Sequence, residues 1–379
     1  MLGNRELVLD TFCEVHDLLL PYKSFEFWDF ANHTPVKDGI YLIGREQFRL
    51  NTNKIKKLAE SNYCKIILSN PAEGSETLLG QINNLGILDL VRNNKILVLG
   101  GGDMDDSIPH LCYDSFLPKL LDYKSNIIAS QNIDKIFNQQ DKPYKFLFLN
   151  GRVRPQRKFL LEKFKLSGLL DQSLWTNLET GSAQNKKIRL IHNGEDLMLK
   201  PMPVQLLDPY YEVERYRNYL NLPLDQYPYS KNSLFNHEWG EVYLTPEPYV
   251  DTYFSLVTET VFNYPYSFRT EKIWKPIAMG HPWIAVANAG YYRDIRNLGF
   301  RTFENVIDES FDQIDHSQTR IERIAQVVED LCRQDLASFL KECYTVCKYN
   351  QQHLAEMSLQ VRKDFPDRFF QFIKKYTNE

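Results

Sequence analysis

The chain has 379 residues, 43% hydrophobic and 25% charged, with a formal net charge of -4. That length predicts two domains rather than one compact core, and the balance of apolar and charged residues is that of a globular protein rather than a disordered one. No overall basic field points to nucleic acid, and no run approaches the roughly 20 apolar residues of a membrane span. The N-terminal MLGNRELVLDTF lacks the apolar stretch of a signal peptide. The six cysteines, Cys13, Cys64, Cys112, Cys332, Cys343 and Cys347, include no C-x-x-C pair. Neither a zinc site nor a disulfide framework is expected, and a reducing cytoplasm is the simplest setting. The 22 Tyr and 23 Phe suit either ring-stacking clefts or an aromatic-rich core.

The first half alternates short apolar runs with helical patterns. Strands are expected at 39–43, 64–68, 95–99 and 126–129, and helices at 54–62 and 77–90, with Gly80 and Gly86 interrupting the second. Lys95-Ile96-Leu97-Val98-Leu99 is continuous and apolar, as buried parallel strands are. It runs into Gly100-Gly101-Gly102-Asp103, and the loop after the second strand, Ser69 to Glu76, carries Glu73. Such strand–helix repeats predict a Rossmann-like sheet with ligands at the carboxyl ends of its strands.

A polar stretch ending at Pro143 marks a boundary, giving domains 1–141 and 142–345 and a helical tail, 346–379. The second domain opens with a strand at 144–149. A loop with Arg152, Arg154 and Arg157 and a helix at 156–170 follow. Guanidinium forks grip phosphate oxygens well, so the loop is a candidate diphosphate clamp, a solvated basic loop being the alternative. A strand is expected at 188–192, followed by a proline- and tyrosine-rich irregular region to 250 in which His237 reads as structural. Tyr253 to Thr260 forms a strand, with Glu259 at its carboxyl end. Thr270-Glu271-Lys272 then opens a helix with Thr270 as N-cap. Lys272 in the first turn opposes the helix dipole and so suits an anionic ligand. Gly280 and Pro282 end that helix, and 283–287 forms a strand. Helices are expected at 319–333, 336–357 and 365–376, the last after Pro366.

Phe268 to Gly280, FRTEKIWKPIAMG, resembles the donor-site motif of fucosyltransferase-like glycosyltransferases. In that family an aromatic-rich loop leads into a T-E-K helix, and a Gly-x-Pro turn into a strand follows. GFRTFENVIDESFD, Gly299 to Asp312, is similar to a run in uncharacterised phage-type members. The resemblance covers about a third of the chain, all in its second half. It implies an α/β protein of GT-B type, with two Rossmann-like domains, an interdomain cleft and a C-terminal helix crossing back onto the first domain. It also implies a nucleoside-diphosphate-sugar donor, of GDP or UDP type, inverting transfer and no essential metal.

In that reading Lys272 and Arg152 or Arg157 hold the diphosphate, while Thr270, Glu271 and Glu259 position helix and hydroxyls. Tyr264 or Tyr266 stacks on the base or sugar. Inversion needs a base to deprotonate the acceptor hydroxyl, for which Glu73 and Asp103 stand at strand ends. The acceptor is a glycan, a protein or a modified DNA base. Three rivals remain. Asp103-Met104-Asp105 resembles the D-x-D metal motif of GT-A enzymes. The triple glycine is a weak dinucleotide signal without G-x-G-x-x-G. A non-catalytic carbohydrate- or nucleotide-binding module on the same scaffold is the third.

Overall fold

The structure, a computed structural model, describes residues 7–9, 15, 19, 25–27, 34–117, 133–151, 154–177, 189–192, 195–198 and 247–376. The strand expected at 126–129, most of the irregular region with His237, and Arg152 lie outside them. The chain divides into two compact units. Unit 1 comprises Met1–Pro118, Tyr266–Arg269 and Met357–Glu379, and unit 2 comprises Lys119–Pro265 and Thr270–Glu356.

Unit 1 is built on six strands: β1 (Leu7–Leu9), β2 (Phe25–Phe27), β3 (Ile40–Gly44), β4 (Lys65–Asn70), β5 (Ile96–Gly100) and β6 (His110–Cys112). Their order is β2-β1-β3-β4-β5-β6 and every pairing is parallel. Successive residues serve opposite faces, which is why the strands read as unbroken apolar runs. Tyr41, Ile43, Ile66, Leu68, Ile96 and Val98 join one cluster. It takes in Phe48, Ile55 and Ala59 of α1 (Arg45–Ser61) and Leu78 and Ile82 of α2 (Ser75–Asn84). Ile40, Leu42, Ile67, Leu97 and Leu99 join the other, with Phe365, Phe369, Phe372 and Ile373 from the C-terminal helix.

The helix expected at 77–90 is two helices, because Gly86 takes φ of 61°. α2 ends before it and α3 (Leu88–Arg92) starts after it. The left-handed conformation closes the turn at a residue with no Cβ to oppose it.

Unit 2 has β7 (Tyr144–Phe148), α4 (Pro155–Leu166), β8 (Leu174–Trp175) and a hairpin of β9 (Arg189–His192) and β10 (Glu195–Met198). β11 (Thr252–Thr258), α5 (Glu271–Met279), β12 (Trp283–Val286), α6 (Tyr291–Asn297) and α7 (Ser317–Leu331) follow, and then α8 (Leu336–Lys375), whose residues from Met357 on belong to unit 1. Its main sheet has the order β12-β11-β7-β8, again all parallel. The molecule is thus α/β with two parallel sheets of Rossmann-like kind. α8 is one continuous helix through Pro366, where two were expected. Phe365 and Phe369, both fully buried, hold that stretch against the unit 1 sheet, and tertiary packing overrides the local cost of proline.

Under β11, His281 is buried among polar partners. Its Nδ1 lies 2.9 Å from Ser255 Oγ and its Nε2 lies 2.9 Å from the Thr252 carbonyl. A carbonyl only accepts, so Nε2 donates and Nδ1 accepts from Ser255. Burial pulls the imidazole down to about 3, against about 6.5 in an unfolded chain. Between those values the unfolded state binds the extra proton. The stabilisation is therefore complete above about pH 6.5 and is lost as pH falls towards 3, at about 1.4 kcal/mol per unit. Denaturant unfolding at pH 7, 6 and 5 is expected to show that decline, and His281→Gln is expected to flatten it. An equal slope in the variant would contradict the assignment.

Candidate functional site

In unit 2 the chain goes from β7 to β8 in one direction across the sheet and from β11 to β12 in the other. The carboxyl ends of β7 and β11 therefore mark the switch point, the position at which open parallel sheets take ligands. The two ends are tied together by side chains. Thr258 Oγ1 donates to Asn150 Oδ1 at 3.0 Å, and the Asn150 N–H donates to Thr176 Oγ1 at 2.7 Å. From the first turn of α4, Arg157 donates to Thr258 Oγ1 at 3.1 Å and to its carbonyl at 2.9 Å. Gln156 donates to the Glu259 carbonyl at 3.0 Å. Arg157 is 4% exposed, so its guanidinium pins the end of β11. Arg154, half-buried, is the N-cap residue of α4.

The same strand end meets α5. Glu259, with no exposed surface, accepts at Oε1 from the Thr270 N–H at 3.1 Å and from Tyr291 OH at 3.1 Å. Its Oε2 accepts from Thr270 Oγ1 at 2.7 Å. Thr270 Oγ1 in turn accepts from Lys272 Nζ at 2.8 Å and from the Lys272 N–H at 3.4 Å. Lys272 Nζ also lies 3.1 Å from Glu271 Oε1. Burial works against the Glu271 carboxylate, but Lys272 and Lys275 hold it below the ordinary glutamate value. Thr270 and Gly280 cap α5 as the sequence suggests, Gly280 with φ of 67°. At α6 the matching positions are already filled, since Asp312 accepts from the N–H groups of Tyr292 and Arg293 at 2.9 and 3.2 Å.

The structure thus brings Arg157, Glu259, Thr270, Glu271 and Lys272 to one sheet edge of unit 2, with Tyr264 half-buried in the loop before α5. Glu73, Asp103 and Tyr266 belong to unit 1. There the triple glycine is closely packed, Gly100 against Leu78, Gly101 under the chain's own Phe268 and Gly102 against the Ser267 carbonyl. A Cβ at Gly101 would stand 2.1 Å from the Pro71 carbonyl and 2.8 Å from Phe268 Cε2. The glycines are needed for that close approach, which accounts for them without a dinucleotide. Next to Phe268, Arg269 is 4% exposed; its Nη1 lies 3.1 Å from Asp103 Oδ2 and its Nε 3.5 Å from Asp114 Oδ2. Burial works against this guanidinium, but Asp103 and Asp114 hold it above the ordinary arginine value. Asp105 accepts from the Ser107 N–H at 2.8 Å and from Tyr266 OH at 2.9 Å.

Sequence reasoning passed over Arg269, Asp114, Tyr291 and Arg320. Arg320 is 2% exposed and donates to the carbonyls of Phe262, Ala287, Ile314 and Asp315, fixing the loops that leave β11 and β12. One signal was in reach: an arginine directly before an N-cap, between an aromatic loop and a packed helix, has little room to be solvated. Among the described residues no group of three or more His, Cys, Asp and Glu converges as a metal site would require.

Comparisons with protein-family models, curated proteins and solved structures return no match to the chain.

Removing the Arg269 charge would take its ion pair from the buried Asp114. Arg269→Met is expected to lower stability by about 3 kcal/mol, the low end for a broken buried pair because Asp103 is partly exposed. Urea unfolding reads this directly, and a loss below about 0.5 kcal/mol would contradict a buried anchor.

Proposed function

We propose that the chain is a glycosyltransferase that moves a sugar from a nucleoside-diphosphate donor to an acceptor hydroxyl, with inversion and without an essential metal. One observation carries the reading. In unit 2 the switch point of the parallel sheet coincides with the N-terminus of α5, where Lys272 stands in the first turn. The helix dipole favours an anion there, and an ammonium in the same turn makes a diphosphate the fitting ligand.

On binding, Lys272 Nζ would exchange the Glu271 carboxylate for phosphate oxygens. Glu271 would then accept from a ribose or sugar hydroxyl. As the sugar–phosphate bond breaks, negative charge grows on the leaving diphosphate, and Lys272 with a cation of the 152–154 loop would neutralise it. Arg157 supports the strand end in this account, and Tyr264 is assigned to stack on base or sugar. Asp103 is committed to Arg269, so the base that deprotonates the acceptor is assigned to Glu73. The D-x-D reading is weaker for the same reason: Asp103 holds Arg269, and Asp105 is engaged by Ser107 and Tyr266.

The two units would be the Rossmann-like halves of a GT-B enzyme. Donor preference follows the resemblance, a GDP-sugar first and a UDP-sugar next; the acceptor is a glycan, a protein or a modified DNA base. The five described cysteines are free thiols, four of them buried, which suits action in the cytoplasm.

Calorimetric titration with GDP and UDP tests the site. Lys272→Ala removes a charge-assisted contact worth about 1.5–3 kcal/mol, so the dissociation constant is expected to rise about tenfold to a hundredfold. Unchanged affinity would remove the diphosphate role. Turnover of a nucleotide-sugar is expected to survive a chelator of divalent cations; its abolition, reversed by added Mn2+ or Mg2+, would return the reaction to the metal-dependent reading.

A further inference from the structure

We propose that Tyr291 and Glu259 are positioning residues for the anion site of α5, acting on Lys272 through the Thr270 hydroxyl. This role rests on the diphosphate reading above and gives Glu259 a different task from contact with the ligand.

Glu259 is wholly buried and its carboxylate meets three protein donors, the Thr270 N–H, Thr270 Oγ1 and Tyr291 OH. A carboxylate taken out of water is costly unless such donors replace its hydration. No Lys or Arg touches it among the described hydrogen bonds. The nearest positive charge along the chain of contacts is the Lys272 ammonium, one hydroxyl away at 2.8 Å from Thr270 Oγ1. That hydroxyl has a single proton. Because Glu259 Oε2 can only accept, the proton points to Glu259. The lone pairs of Thr270 Oγ1 are left facing Lys272, and the direction of the whole chain is fixed: Lys272 to Thr270 to Glu259, with Tyr291 donating to Glu259 from the other side.

Two consequences follow for the ligand. The carboxylate holds the N-cap with its N–H turned inward, and Thr270 also accepts from the N–H groups of Lys272 and Ile273, so the Lys272 ammonium is the group that meets the anion. The ammonium is held over that turn by a neutral hydroxyl as well as by Glu271, so it remains at the helix end when Glu271 is released. Tyr291 is itself placed by local structure. It is 1% exposed and begins α6 directly after Gly290, whose φ is 79°.

Calorimetric titration of the full chain with GDP and UDP provides the test, with melting temperature recorded for each variant. Tyr291→Phe removes one hydrogen bond and no bulk. It is expected to weaken binding about five- to tenfold in the wild-type background and to have no further effect in Lys272→Ala. That non-additivity is the mark of residues acting on one chain of contacts. A purely structural role would weaken both backgrounds equally and would overturn the proposal, as would Tyr291→Phe binding like wild type. If Tyr291→Phe does not fold, Thr270→Ser and Thr270→Val decide. The hydroxyl-bearing serine is expected to keep affinity and valine to lose it, and equal binding by the two overturns the relay. Wild-type protein that binds neither nucleotide would instead overturn the diphosphate reading on which this role rests.

Discussion

Glu259 sets the terms for the unit 2 edge. A carboxylate without solvent at the end of a central parallel strand must be given donors by the protein, and those donors fix everything near it. Thr270 supplies two of them, which locks the N-cap of α5. Tyr291 supplies the third, which locks the start of α6. Gln156 and Arg157 hold the backbone of the same strand end from α4. Three helix starts are thereby registered against one strand terminus at the point where the sheet order reverses. Asp312 meets the first N–H groups of α6 and Thr270 those of α5, so it is the lysine in the first turn that distinguishes the start of α5.

Unit 1 meets a different constraint with similar means. Phe268 must lie almost on the backbone of the loops after β4 and β5, and only glycines at 74 and 101 leave it room. Arg269, buried beside it, draws in Asp103 and Asp114. The residues that look in sequence like a phosphate cradle and a metal pair are thus explained by packing and by neutralisation of one buried guanidinium. In the second half of the chain the Lys272 ammonium is held by Glu271 and Thr270, although it stands against the helix dipole.

The parallel strands were legible because burial on both faces forces unbroken apolar runs, as in Ile96 to Leu99. The caps of α5 were legible because Thr270 and Gly280 act through local backbone geometry. What escaped sequence reasoning depended on partners remote in the chain. Asp114 and Arg269 are unremarkable charges until the fold brings them together, and Tyr291 gains meaning only from Glu259. Pro366 misled because local propensity predicts a break where buried phenylalanines impose continuity. Gly86 was noticed as a weakness in a helix, yet its positive φ makes it a full stop. Arg157 illustrates the opposite hazard: its residue type suits phosphate, but its hydrogen bonds are spent on Thr258.

The central claim is that the first turn of α5 receives a diphosphate. Backbone amide 15N–1H spectra recorded during titration with GDP test it most directly, because they report on that turn residue by residue. The account predicts the largest, saturable shifts at Glu271, Lys272 and Ile273, with smaller ones at Thr270 and at the end of β11. Saturable shifts centred elsewhere, with the α5 amides unmoved, would contradict it.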